Sequence, residues 1–253
     1  MKIGVVGGTG TLGKQVVEIL RQRGHEVRVL SRHAPDYPVD LNTGAGLGHA
    51  LQGCDTVVDA SNNPSQKGAK ATLVEGSKRL LDAENAAGVR HHVCVSIVGC
   101  ERDLFGYLRI KAAQEKVVER GPVPWTIVRA TQFHDLIAYL LGSMARLRVV
   151  PLPRVTLQPV ASAEAARAVA DVAEGQPRRG RVEIIGPEAA DLRDLARTWK
   201  AITGSHCAVL PLPLAGKTAR ALRSGVLTTD HPDVRGTIPF ATWLKGTAAA
   251  QHA

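Results

Sequence analysis

Aromatic residues are scarce: Phe, Tyr and Trp make up 4% of 253 residues. Base-stacking platforms for nucleic acid need more rings than that. The 32 Lys and Arg are spread along the chain, with only Arg178, Arg179 and Arg181 tightly clustered. No nucleic-acid partner is expected, although a formal charge of +9 favours anionic ligands through long-range attraction. Cysteine is also rare. Cys54, Cys94, Cys100 and Cys207 form no C-x-x-C pair and show no metal-type spacing with histidine. That excludes a disulfide framework, predicts no metal site and fits a reducing cytoplasm. No apolar run reaches membrane-spanning length, and the first residues lack the basic start and apolar stretch of a signal peptide. The expectation is a soluble, cytoplasmic chain with no membrane partner, as monomer or homodimer.

What is present is a regular alternation. Short β-branched runs at 2–6, 26–30, 56–59, 92–98 and 125–129 are interleaved with helical-period segments at 12–22, 69–87 and 106–119. Strand and helix in turn imply parallel strands joined by crossovers, with helices on both faces. The predicted fold class is α/β, a Rossmann-type doubly wound parallel sheet with a small C-terminal substrate lobe. Residues 1–150 are assigned to the nucleotide-binding domain and 151–253 to the lobe, within one compact unit. Phe133, Leu136, Ile137, Leu140, Leu141 and Met144 mark one apolar helical face, read as core. A strand-like 154–160, a helix opening at Ser162, a strand at 181–185, a helix at 191–202 and an irregular Pro-rich tail follow. His91 and His92 read as surface residues.

Between the first strand and first helix lies GGTGTLG, residues 7–13. Gly7 permits the tight turn, Gly10 lets backbone amides approach a pyrophosphate, and Gly13 allows close packing of helix on strand. The helix N-terminus adds free N–H groups and the positive end of the dipole. Within a βαβ unit this turn predicts dinucleotide binding through Gly7, Thr9, Gly10, Thr11, Leu12 and Gly13. At the end of the second strand, where an NAD-selective site places a carboxylate, the chain reads Leu30, Ser31, Arg32, His33. A guanidinium grips a 2′-phosphate and Ser31 adds a hydrogen bond, so NADP(H) is the predicted cofactor.

GGTGTLG, VDL at 39–41, DTVVDAS at 55–61, VCVSIVG at 93–99, YLRIK at 107–111 and PWTIVRATQFHD at 124–135 together resemble the atypical short-chain dehydrogenase/reductase group, specifically the NmrA-like NAD(P)-binding proteins. The resemblance covers residues 1–135 well and the remainder loosely. It implies that Asp40 and Leu41 lie beside the adenine, and Ala60, Ser61 and Asn62 along the cofactor ribose. The group includes both enzymes and catalytically silent redox sensors.

Tyr107 and Lys111 form Y-x-x-x-K, one turn apart on a helix face. A neighbouring ammonium favours the ionised phenol, so Tyr107 is the expected proton-transfer group, with Lys111 as helper and holder of the nicotinamide ribose. Ser96, at the end of the preceding strand, is expected to hydrogen-bond the same substrate oxygen. His134 and Asp135 are expected to cap the next helix, and Phe133 and His134 are candidate substrate contacts. The reading is an NADP(H)-dependent reductase of a small carbonyl, quinone or enone-like substrate. The alternative is a non-catalytic NADP(H) sensor or regulator. A nucleotide-sugar epimerase or dehydratase fits less well, because the lobe is short and aromatics are few.

Overall fold

The computed structural model describes residues 1–63, 65–102, 106–146 and 148–251. The chain divides into two compact units, Met1–Arg129 with Ala165–Val182, and Ala130–Glu164 with Glu183–Ala253. It opens with β1 Lys2–Val6, α1 Thr11–Gln22, β2 Glu26–Leu30, α2 Leu47–Leu51, β3 Thr56–Asp59, α3 Gln66–Ala69, α4 Gly76–Ala87, β4 His91–Ile97, α5 Gly106–Arg120 and β5 Trp125–Ala130. It continues through α6 His134–Ala145, β6 Val149–Leu152, β7 Thr156–Leu157, α7 Ser162–Glu174, β8 Arg181–Ile185, β9 Ala190–Asp191, α8 Leu192–Thr203, β10 Ala208–Pro211, α9 Gly216–Arg223, β11 Val234–Arg235 and α10 Phe240–Gln251.

Seven strands form one sheet in the order β11-β8-β5-β4-β3-β1-β2. The pairs β1–β2, β1–β3, β3–β4 and β8–β11 are parallel. This is the Rossmann-type α/β fold predicted from the alternation. β3 and β5 are buried at every residue, as strands covered by helices on both faces must be. One buried cluster joins Val57, Cys94 and Ile127 of the sheet to Leu80 and Leu81 of α4 and Val118 of α5.

Four sequence expectations need correction. The helix expected over 69–87 is interrupted by a π-helical stretch, Lys70–Glu75, between α3 and α4. The strand expected over 154–160 pairs regularly only at β7, with a single bridge from Phe133 to Val160 beyond it; a strand-like run without a matching partner does not form a ladder. The tail taken as irregular holds β10, α9, β11 and α10, short elements whose prolines mask the periodicity. His91 and His92 are buried, not on the surface, because β4 begins one residue earlier than its apolar run suggests.

Candidate cofactor site

The glycine turn is shaped by close backbone approaches. Gly7 has φ +72, and a Cβ there would sit 2.7 Å from the Ala60 carbonyl oxygen. At Gly13 a Cβ would meet the Gly7 oxygen at 2.2 Å, so helix and strand touch as the motif requires. Gly10 differs: its nearest neighbour is the Gly7 oxygen at 3.2 Å, and the residue is exposed. It caps α1 without a side-chain hydrogen bond, and the first turn holds no acidic residue. The α1 dipole end therefore faces outward between exposed Thr9 and Thr11, while Leu12 packs inward.

Three strand ends converge here. The Gly7 amide donates to the Leu30 oxygen at 2.9 Å, and the Ala60 amide to the Val6 oxygen at 3.0 Å. Ser31 and Ser61, just beyond β2 and β3, each hold a buried Oγ with no hydrogen-bond partner among the described residues. Buried hydroxyls are normally satisfied, and two orphans beside an uncapped helix start suit a ligand rich in phosphate and ribose oxygens. Arg32 is exposed and makes no ion pair among the described residues. Asp40 spends one carboxylate oxygen on the Asn42 amide at 2.9 Å, and Leu41 is buried.

At the same edge, the Tyr107 hydroxyl donates to Asn62 Oδ1 at 2.6 Å. Burial pushes its pKa up to about 12. Here the sequence expectation fails, because Lys111 does not serve the phenol: its buried ammonium donates to the Val95 oxygen at 2.7 Å and to Gln114 Oε1. Gln114 in turn donates to Asp59 and Ser77. The one-turn spacing puts the two residues on one helix, and no hydrogen bond joins them among the described residues. Ser96 is likewise occupied, donating to Glu115 Oε1 at 2.5 Å in a buried position.

A family model described as NAD(P)H-binding matches residues 7–174. The chain belongs to the NAD(P)H-binding family. It is 30% identical over 149 residues to the Photosystem II assembly factor Ycf39 of Trieres chinensis, covering 53% of this chain and 47% of that protein. It is 27% identical over 141 residues to a ceramide reductase of Caulobacter vibrioides, covering 50% and 44%. The chain thus spans about half the length of these relatives. Among solved structures, an Escherichia coli NADPH-dependent quinone oxidoreductase complexed with NADPH superposes with a TM-score of 0.79 at 18% identity, over 97% of this chain and 99% of that one. The NAD(P)-binding part of the resemblance is borne out by the family model, and the Rossmann-type fold by the solved structure.

Behind the cofactor edge of this NAD(P)H-binding protein lie two buried polar layers that the sequence did not disclose. In one, Glu115 takes Arg129 bidentately, at 2.9 and 2.7 Å, and also accepts from Cys100 Sγ at 3.1 Å. Burial works to raise the Glu115 pKa, but Arg129 and Ser96 outweigh it and hold it below the ordinary carboxylate value. Burial, then Glu115, pushes Cys100 up to about 12. In the other layer His92 Nδ1 donates to Glu84, both fully buried. Burial alone would lower His92, yet Glu84 carries it well above its usual value. Among the described residues His92 Nε2 has no hydrogen-bond partner, and Asp59, His92 and Cys94 offer ligand atoms within 4.8 Å of one another. This grouping was invisible as spacing because adjacent strands supply it.

In the second unit, His134 is buried, donates Nε2 to the Ile238 oxygen at 2.9 Å, and lies against the rings of Phe240 and Trp243. Burial lowers its pKa. Phe133 is the N-cap of α6 and no side chain caps that helix, which corrects the capping role given to His134 and Asp135. All four cysteines are free and buried. No helix among the described residues is long and apolar enough to cross a membrane.

Proposed function

We propose that this chain is an NADPH-dependent reductase of a small carbonyl, quinone or enone, with Tyr107 as its proton donor. Tyr107 carries the reading: its hydroxyl stands beside the loop after β3, hydrogen-bonded to Asn62 next to the orphaned Ser61 hydroxyl. With a pKa near 12 it is protonated at neutral pH, the state an acid needs to deliver a proton to a substrate oxygen. When bound in the glycine turn, the cofactor would supply a hydride to the substrate carbon. Tyr107 would pass its proton to the substrate oxygen and recover one from solvent.

Arg32 and Ser31 bind the 2′-phosphate in this reading, and the glycine turn takes the pyrophosphate. Asp40 and Leu41 lie beside the adenine, and Ala60, Ser61 and Asn62 along the ribose. Lys111 and Ser96 act as positioning residues, the first tying α5 to β4 and the second holding Glu115. Of residues 151–253, those in the second unit, 151–164 and 183–253, form the substrate lobe in this reading, and Phe133 and His134 belong to the same unit.

Because Lys111 and Ser96 are consumed internally, a second reading has specific support: an NADP(H) binder that turns nothing over. The assembly-factor name of one relative points the same way. NADPH oxidation across a panel of aldehydes, ketones, quinones and enones decides between them. Turnover that falls about two to four orders of magnitude in Tyr107→Phe, with NADPH affinity kept, supports the reductase. Tight NADPH binding without turnover on any substrate supports the binder.

A further inference from the structure

The charge of +9 is not spread evenly. Residues 136–163 and 195–229 contain no Asp or Glu, yet they hold Arg146, Arg148 and Arg154, and Arg197, Lys200, Lys217, Arg220 and Arg223. Among the described residues, every exposed large hydrophobic side chain apart from Met1 lies in these same two segments. The helical face read as core explains part of this. Its Ile137 and Leu141 are buried, but Leu136 and Leu140 are 47% exposed and Tyr139 71%, so the face has only half a partner. An outward row of such residues marks a binding surface more often than chance.

The other part is LPLPL at 210–214. β10 pairs in parallel with β6, and the amides of Ala208 and Leu212 both donate toward β6. Successive amides of an extended chain point to opposite sides, so positions 211 and 213 face the free edge. Both are proline, which has no N–H to offer. A second strand docking there would find only the Val209 amide to pair with, so backbone pairing is weakened. Leu210, Leu212 and Leu214 alternate with the prolines and are all exposed, leaving the row of leucines as the feature presented.

Immediately after it, α9 carries Lys217, Arg220 and Arg223 at every third residue, with Ala219 and Leu222 buried beneath. Arg223 Nη1 donates to the Leu214 oxygen at 3.3 Å, which ties the basic helix to the leucine row. Lys217 and Arg220 have no ion pair among the described residues. Exposed leucines flanked by unpaired cations, with no carboxylate for dozens of residues, match the layered chemistry of an anionic bilayer surface, apolar inside and phosphate outside.

We infer that the 208–223 segment docks the protein on anionic lipid headgroups, with Leu212 and Leu214 entering the interface and Lys217 and Arg220 against the phosphates. The expectation of no membrane partner rested on the lack of a spanning run; surface attachment needs none. The inference is independent of the reductase reading.

Full-length protein is sedimented with vesicles of phosphatidylcholine alone or with added phosphatidylglycerol, at low and high salt. The expected result is binding at least tenfold stronger to the anionic vesicles and weakened by salt. Leu212→Asp/Leu214→Asp and Lys217→Glu/Arg220→Glu should each lose at least tenfold, with circular dichroism and NADPH affinity unchanged. Wild type that stays in solution, binds both vesicles equally, or is unaffected by either double variant overturns the proposal. So does light scattering that shows a dimer dissociated by the leucine variant without any vesicle binding, which assigns the row to a second copy. Duplex DNA binding lost only in the charge variant, again without vesicle binding, overturns it as well.

Discussion

The carboxyl edge of β1, β2 and β3 and the polar layer between β4 and α5 both hold residues that sequence motifs single out, and they treat them oppositely. At the edge the atoms are left open among the described residues: Ser31 and Ser61 hydroxyls without partners, an α1 with no side-chain cap, an Arg32 with no ion pair. In the layer they are used up, with Lys111 on Val95 and Gln114, and Ser96 on Glu115. A chemically suitable side chain is available to a ligand only where the fold leaves its valences unfilled. The edge reads as a binding site and the layer as its scaffold.

The contrast breaks most visibly at Glu115. Replacing it with Ala takes the bidentate partner from the buried Arg129 guanidinium and leaves the exposed Glu101 as an ion-pair partner, and the loss should be about 3–5 kcal/mol of folding stability. Urea unfolding of Glu115→Ala measures it; a loss under 1 kcal/mol would mean that water reaches the layer. Next come the glycines. Gly13→Val sets a Cβ against the Gly7 backbone and should destabilise by about 1–3 kcal/mol or more. Gly10→Val should leave circular dichroism unchanged while abolishing cofactor binding. Equal unfolding midpoints for the two variants would erase the distinction between a packing glycine and a ligand-facing one.

Lys111→Met sharpens the line between layer and edge. Losing both bonds leaves buried acceptors unpaired, at about 1–3 kcal/mol, with NADPH affinity nearly kept. A stable Lys111→Met that no longer binds NADPH would return the lysine to the cofactor. At neutral pH the smallest effect belongs to His91, buried against Thr126 and lowered by burial to about 4. Its folded value lies below the unfolded 6.5, so the unfolded chain takes up the proton first. Its contribution is complete above pH 6.5 and declines as pH falls toward 4, by about 1.4 kcal/mol per unit. His91→Gln should flatten that slope in denaturation curves; an unchanged slope refutes it.

The first five strands were legible because periodicity and glycine punctuation agree over residues 2–130. The edge was legible for the same reason: Gly7, Gly10 and Gly13 obey rules of local backbone shape. The layer was not, since Glu115 with Arg129 and Glu84 with His92 join elements 14 and 8 residues apart through side chains no motif records. Tyr107 lies on α5, and its hydrogen-bond partner is Asn62, 45 residues away in sequence. In the second unit, Leu136 and Leu140 show the limit of periodicity: it finds a face, not what covers it.

The most direct test of the open edge is calorimetric titration of NADPH and NADH into wild type and Arg32→Ala. The account predicts that wild type prefers NADPH and that Arg32→Ala loses about 1.5–3 kcal/mol toward NADPH alone, as one charge-assisted contact should cost. Equal affinity of wild type for the two cofactors would contradict it.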